Sequence, residues 1–217
     1  MPQSRTSVRW TSARSRTLIL DGLSLRDYPT LSKFHELQEV QYWHRTATDQ
    51  RMEALAQIGL TNLYCITLNG SSYITDRGID AMSVIPSVHS LGLEGTSITD
   101  AGVDVIARKM RPVGVNVAAC TNVTVDGLLR LARTETLKDL SFSAGNMSSE
   151  DVLRILDAAP NLERLQITGV SEHLMRGAIE QAAAMKTKTQ QKQIRIVYSA
   201  KGSISMDAPL PDRKELQ

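Results

Sequence analysis

The chain repeats itself, and a repeat of this period constrains the fold more than any other feature of the sequence. ITDRGIDAM begins at Ile74, ITDAGVDVI at Ile98 and VTVDGLLRL at Val123. MSSEDVLRI from Met147 keeps the pattern with Ser148 in the threonine position. ATDQRMEAL from Ala47 keeps Thr48 and Asp49, and a weaker copy, VSEHLMRGAI, starts near Val170. From Ala47 to Met147 the starts lie 27, 24, 25 and 24 residues apart. Periods of this size belong to solenoids, in which one unit cannot bury its apolar side alone and must stack on its neighbours.

Each copy is followed by an L-x-x-L-x-L stretch in which any aliphatic residue or Phe fills an L. The clear cases are Leu63, Ile66, Leu68; Val88, Leu91, Leu93; Leu137, Leu140, Phe142; and Leu162, Leu165, Ile167. Leu37, Val40, Tyr42 fit upstream, and Val115 and Val117 fit behind Pro112. The final apolar-x-apolar pair alternates with period two, as a half-buried strand does. The T-D-x-G segment opens a helix: Thr75, Thr99 and Thr124 suit the N-cap, and Asp76 and Asp100 fall in the first turn, where the helix dipole favours an anion. Ile79, Met82, Ile85 and Val103, Ile106, Met110 then recur at helical spacing. One unit is therefore strand, turn and helix. Stacking predicts a single parallel sheet of six to eight short strands on the inside of an arc.

This pattern resembles the leucine-rich repeat superfamily, and its I-T-D-x-G opening resembles the cysteine-containing subtype found in F-box proteins. That subtype places a cysteine just after the strand. Cys120 holds that place here, and Ser71, Thr96, Gly145 and Val170 stand at the equivalent positions. The resemblance covers residues 37–170 well and 15–36 and 171–198 weakly. It implies an α/β leucine-rich repeat solenoid: a right-handed arc with an inner parallel sheet, outer helices and seven to eight units. In size and repeat class the chain is also similar to small mitochondrial leucine-rich repeat proteins such as ATP synthase coupling factor B. Three regions are expected: a basic arm over 1–16, the repeat domain over 17–198 and a polar tail over 199–217.

Composition narrows the function classes. No apolar run approaches the ~20 residues that span a bilayer. Two cysteines, Cys65 and Cys120, are too few for a disulfide scaffold and point to a reducing, intracellular compartment. The net charge is +2, but it is unevenly spread. Residues 1–20 hold Arg5, Arg9, Arg14 and Arg16 with no acid, and 181–205 hold five cations with none, leaving 21–180 at −6. An arginine-rich, acid-free start reads as a mitochondrial address, with the matrix the expected compartment and the cytoplasm the alternative. A basic arm that touches a partner, nucleic acid included, is the competing account.

Chemistry-bearing motifs are lacking: there is no phosphate loop, dinucleotide fingerprint, C-x-x-C or H-E-x-x-H. His44, Cys65 and His89 invite a metal-site idea, but strand alternation sets His89 out of register with Cys65. No cofactor and no enzyme activity are expected. In the arc suggested by the resemblance, the residues flanking the apolar strand pair line the concave face. The middle row reads Gln41, Thr67, Gly92, Asn116, Ser141, Gln166. The row before it reads Glu39, Cys65, Ser90, Gly114, Asp139, Arg164, and the row after it Trp43, Asn69, Glu94, Ala118, Ser143, Thr168. The small centre predicts close approach by another backbone. Six of the nine aromatics lie between Tyr28 and Tyr73, with Tyr42 expected in the core and Trp43 at the concave rim. These features predict a protein-interaction module that binds through Gln41, Trp43, Thr67, Asn69, Ser90, Gly92, Asn116, Ser141 and Gln166. The alternatives are substrate recognition for a ubiquitin ligase, or RNA contact through the basic ends.

Overall fold

A computed structural model describes residues 9–10, 16–43, 46–145, 147–169 and 194–199. The short strand β1 (Arg9–Trp10) is followed by β2 (Thr17–Ile19), a 3-10 segment (Leu25–Lys33) and β3 (Glu39–Gln41). Then strands and helices alternate: α1 (Asp49–Ala56), β4 (Cys65–Thr67), α2 (Asp76–Met82), β5 (Ser90–Gly92) and α3 (Asp100–Val105), which runs on as a π turn over Ile106–Met110. The remaining elements are β6 (Gly114–Asn116), α4 (Val125–Ala132), β7 (Asp139–Ser143), α5 (Ser149–Ala158), β8 (Arg164–Thr168) and β9 (Arg195–Ser199). The expected weak copy from Val170 lies outside the described residues, as does the tail beyond Ser199.

The nine strands form one sheet in chain order, and the eight from β2 to β9 pair in parallel, the upper end of the expected six to eight. The register is the predicted one: Val40, Ile66, Leu91, Val115 and Leu140 are direct neighbours across β3 to β7. The sheet differs from an all-parallel expectation at β1, which pairs antiparallel with β2, Arg9 opposite Ile19. Only residues 11–16 separate the two strands. A parallel partner needs a crossover of roughly a dozen residues or more, so a link this short can only reverse direction. Part of the expected basic arm is thus an edge of the sheet.

The core is continuous because each unit stacks the same apolar positions on the next. Leu18, Val40, Ile66, Leu91 and Leu140 are all buried, as are the next inward positions Leu20, Tyr42, Leu68, Leu93 and Phe142. From the helices, Met52, Ile79, Val103, Leu128 and Val152 close the same core. Under the strand ends runs a column of small residues, Ser71, Thr96 and Cys120, all buried. Ala144, not Gly145, continues it: Met147 N donates to the Ala144 carbonyl just as Val123 N donates to Cys120, so that loop is one residue tighter. Gly145 is instead an exposed turn residue at φ 48°.

The T-D-x-G signature joins repeats as well as starting helices. Thr48, Thr75 and Thr99 cap their own helices through their hydroxyls. Each aspartate also reaches the following unit. Asp49 accepts from Thr75 N (2.9 Å) and Thr75 Oγ1 (2.6 Å). Asp76 does the same for Thr99, at 2.8 and 2.7 Å, and also accepts from Gly102 N at 2.9 Å. Asp100 takes Thr124, at 2.8 and 2.6 Å. The glycine of the motif makes room for that carboxylate: a Cβ at Gly78, Gly102 or Gly127 would overlap Oδ1 of Asp49, Asp76 or Asp100. The ladder stops where Val125 replaces the aspartate. Ser148, with no carboxylate behind it to accept from its N–H and hydroxyl, gives both to Asp151 of its own helix, which stands at the glycine position.

Two stability predictions follow from this packing. Leu91→Ala should cost ~2–5 kcal/mol, since the side chain is buried between repeats, whereas Ser90→Ala, its neighbour on the open face, should stay within ~0.5 kcal/mol. Ala119 sits in the left-handed region at φ 54°, at the place held by Gly70, Gly95 and Gly169 in other units. Ala119→Gly should therefore stabilise the fold by ~0.5–1 kcal/mol. Urea unfolding reads all three, and loss of stability in Ala119→Gly would contradict the strain argument.

Candidate functional site

The face of the sheet opposite the helices is where the strands place side chains that do not enter the core. The three predicted rows are the observed ones: Gln41, Thr67, Gly92, Asn116, Ser141 and Gln166 follow one another strand by strand. Val197 extends that row on β9 and Ile19 begins it on β2. Of the basic residues assigned to the arm, Arg16 is exposed and pairs with Glu36 at 3.5 Å. Arg5 and Arg14 lie outside the described residues, and Arg9 is described in its backbone alone.

At the β3 end the side chains are linked before any partner arrives. Trp43 Nε1 donates to Gln41 Oε1 (2.9 Å), Gln41 Nε2 donates to Glu39 Oε1 (2.7 Å), and Thr17 Oγ1 donates to Glu39 Oε2 (2.9 Å). Trp43 N also donates to Asp21 Oδ1 at 2.6 Å. The indole remains 41% exposed, while its neighbour Tyr42 is buried and shares a 2.8 Å hydrogen bond with the Tyr28 hydroxyl. Tyr28 and Tyr42 thus close the N-terminal core, and Trp43 is the aromatic presented outward on this face.

The centre is less open than its residue sizes imply. The space above Gly92 is occupied: a Cβ there would lie 3.0 Å from Asn69 Oδ1 and 3.2 Å from Thr67 Cγ2. Asn69 leans across to accept from Glu94 N at 3.1 Å, holding the strand end of β5. Asn116 bridges likewise, donating to Glu94 Oε2 (3.4 Å) and accepting from Ala118 N (3.0 Å). Gly114 is the true gap, with nothing closer than Ser90 Oγ at 3.4 Å. Further along, Ser141 donates to Gln166 Oε1 at 3.4 Å, Ser143 shares a 2.6 Å bond with Thr168, and Arg164 pairs with Asp139 at 3.3 Å. Close approach by another backbone is therefore confined to the neighbourhood of Gly114.

Both cysteines of the fold are held as neutral thiols. Burial and the nearby Glu39 push the Cys65 thiol up to about 12, so it stays protonated and weakly nucleophilic at neutral pH. Burial also raises the Cys120 thiol, whose Sγ donates to the Leu93 carbonyl at 3.0 Å. His89 packs edge-on against Tyr64, with ring centroids 5.9 Å apart. His44 lies outside the described residues, and among those described no group of three His, Cys, Asp or Glu side chains is arranged to hold a metal ion. No described helix is long and apolar enough to cross a membrane.

A cavity of about 470 Å³ opens between the fourth and fifth copies, lined among others by Val117, Cys120, Val125, Leu128, Phe142 and Met147. It lies where Val125 interrupts the aspartate ladder, and that substitution was the signal available in the sequence.

No protein-family model matches the chain. Among solved structures, it is similar to actin-binding site 2 of leiomodin-1 (16% identity over 76% of this chain and 90% of that one, TM-score 0.43). It is also similar to the tropomodulin C-terminal domain of Caenorhabditis elegans (14%, 77% and 96%, TM-score 0.42). A third likeness is to Rad7 in complex with Elc1 in yeast (17%, 73% and 51%, TM-score 0.46). These likenesses are distant, and the repeat architecture rests on the register and hydrogen bonding described above.

Burial raises the Glu94 carboxyl, and only the Asn116 amide lowers it. A raised carboxyl is favoured in its protonated form by the fold, so its contribution to stability is present at low pH and lost as pH rises through the folded value. At neutral pH the charge is a burden. Glu94→Gln should therefore leave the melting temperature unchanged or raised at pH 7, and a clear fall would show that Glu94 is structural.

Proposed function

We propose that the chain is a non-enzymatic protein-interaction module, a subunit or assembly factor of a larger complex, which binds a protein partner on the open face of its sheet. The observation that carries this reading is the Trp43 arrangement. A large aromatic side chain is held out at the rim by a chain of side-chain hydrogen bonds back to Thr17, although its exposure contributes nothing to the core. Aromatic residues of this kind are favoured interface anchors. Holding one in place beforehand lowers the ordering cost of binding, which is ~0.5–1.5 kcal/mol for a mobile side chain. The polar rows beside it supply hydrogen-bonding groups that satisfy one another in the free protein and can be exchanged for a partner's. The acid-free, arginine-rich first twenty residues support delivery to the mitochondrial matrix.

Capture of the native partner from cell extract tests the reading. Trp43→Ala should weaken binding by roughly thirtyfold, the effect of losing an anchor worth ~2 kcal/mol. Ser141→Arg should block the other end of the face sterically, and both variants should keep the wild-type melting temperature. Undiminished capture by both variants would move the binding surface elsewhere.

A further inference from the structure

The open face is electrically lopsided. Over β3 to β6 its three rows carry Glu39 and Glu94 and no lysine, arginine or histidine. Asp21 adds a third carboxylate at the rim, directly behind the Trp43 backbone. Towards the far end Asp139 is neutralised by Arg164, and Arg195 is exposed on β9. Glu94 is half-buried, and its carboxylate accepts from the neutral amide of Asn116. Trp43, Asn69 and Glu94 stand in one row on successive strands, which places the indole and the carboxylate roughly 10 Å apart across Asn69. The N–H edge of the indole is taken by Gln41, and the side chain stays partly exposed on this face. A ring face and a desolvated carboxylate attract the same chemical group, a cation.

We propose that this half of the face takes a basic segment of a partner protein, with a lysine or arginine head group seated over Asn69 between the Trp43 indole and the Glu94 carboxylate. The proposal rests on the protein-interaction reading above and names the chemistry of the partner. The same field opposes phosphates, which sets nucleic acid against this surface.

The probe is a fluorescein-labelled peptide of about ten residues alternating arginine and serine, so that an extended chain turns every arginine to one side. Its anisotropy is followed with the full chain at low salt. Binding should be saturable, weaken about fivefold or more in Glu94→Gln, and stay at the wild-type value in Glu150→Gln, which removes a carboxylate from α5 on the helical side. A glutamate–serine peptide should not bind. The proposal is overturned if the basic peptide does not bind, if Glu94→Gln binds it as wild type does, or if Glu150→Gln weakens it equally. Tenfold tighter binding in Arg5→Glu would make the chain's own arm the occupant and overturn it too. If it falls while Trp43→Ala and Ser141→Arg still lose the native partner, the interaction surface stands and only the basic partner is lost.

Discussion

The carboxylate that three successive helix starts, at Asp49, Asp76 and Asp100, extend to the next repeat is the interaction on which the architecture depends. A solenoid has no long-range contacts to fix its geometry, so neighbouring units must set one another's position. Asp49, Asp76 and Asp100 each bind the backbone N–H and the hydroxyl of the following threonine, fixing where the next helix begins. With the helix starts fixed, the strands fall into register and the leucine columns stack. The open rows of the sheet are a consequence of that registration. The motif glycine belongs to the same device, since its missing side chain is the space the carboxylate occupies.

Where the device is absent, the structure shows what it was doing. Val125 offers no carboxylate, the glycine position becomes Asp151, and the fifth helix caps itself. The helix starts of the two units then meet around a cavity instead of a hydrogen-bonded seam, while their strands stay joined, Val117 N donating to the Ser141 carbonyl at 2.8 Å and Ala119 N to Ser143 Oγ at 2.8 Å.

Much of this was legible from the residues. The period-two pairs Leu91–Leu93 and Leu140–Phe142 set the strand register, and register placed every row of the open face, because side chains alternate strictly. The T-D-x-G motif was legible as a helix start. Its second role was not, because Asp76 meets Thr99 across 23 residues and nothing local announces the pairing. Glycine at position 92 read as open floor, yet Asn69 fills the space from the neighbouring strand. The tether from Trp43 through Gln41 and Glu39 to Thr17 crosses two strands, so it too appears only once the sheet is assembled.

A thermodynamic cycle on Asp76 and Gly102 tests the central claim most directly. In the wild-type background Gly102→Ala should destabilise, because the new methyl group meets the Asp76 carboxylate. In Asp76→Ala, which itself should lose ~1–3 kcal/mol of hydrogen bonding, the space is vacant. The same glycine substitution should then be neutral or stabilising, since alanine is favoured over glycine in a helix by ~1 kcal/mol. That sign reversal, read as a coupling above ~1 kcal/mol in urea unfolding, is the result the account requires. Effects that add to within ~0.5 kcal/mol would mean that the aspartate and the glycine act independently, and that the repeats are held in register by something else.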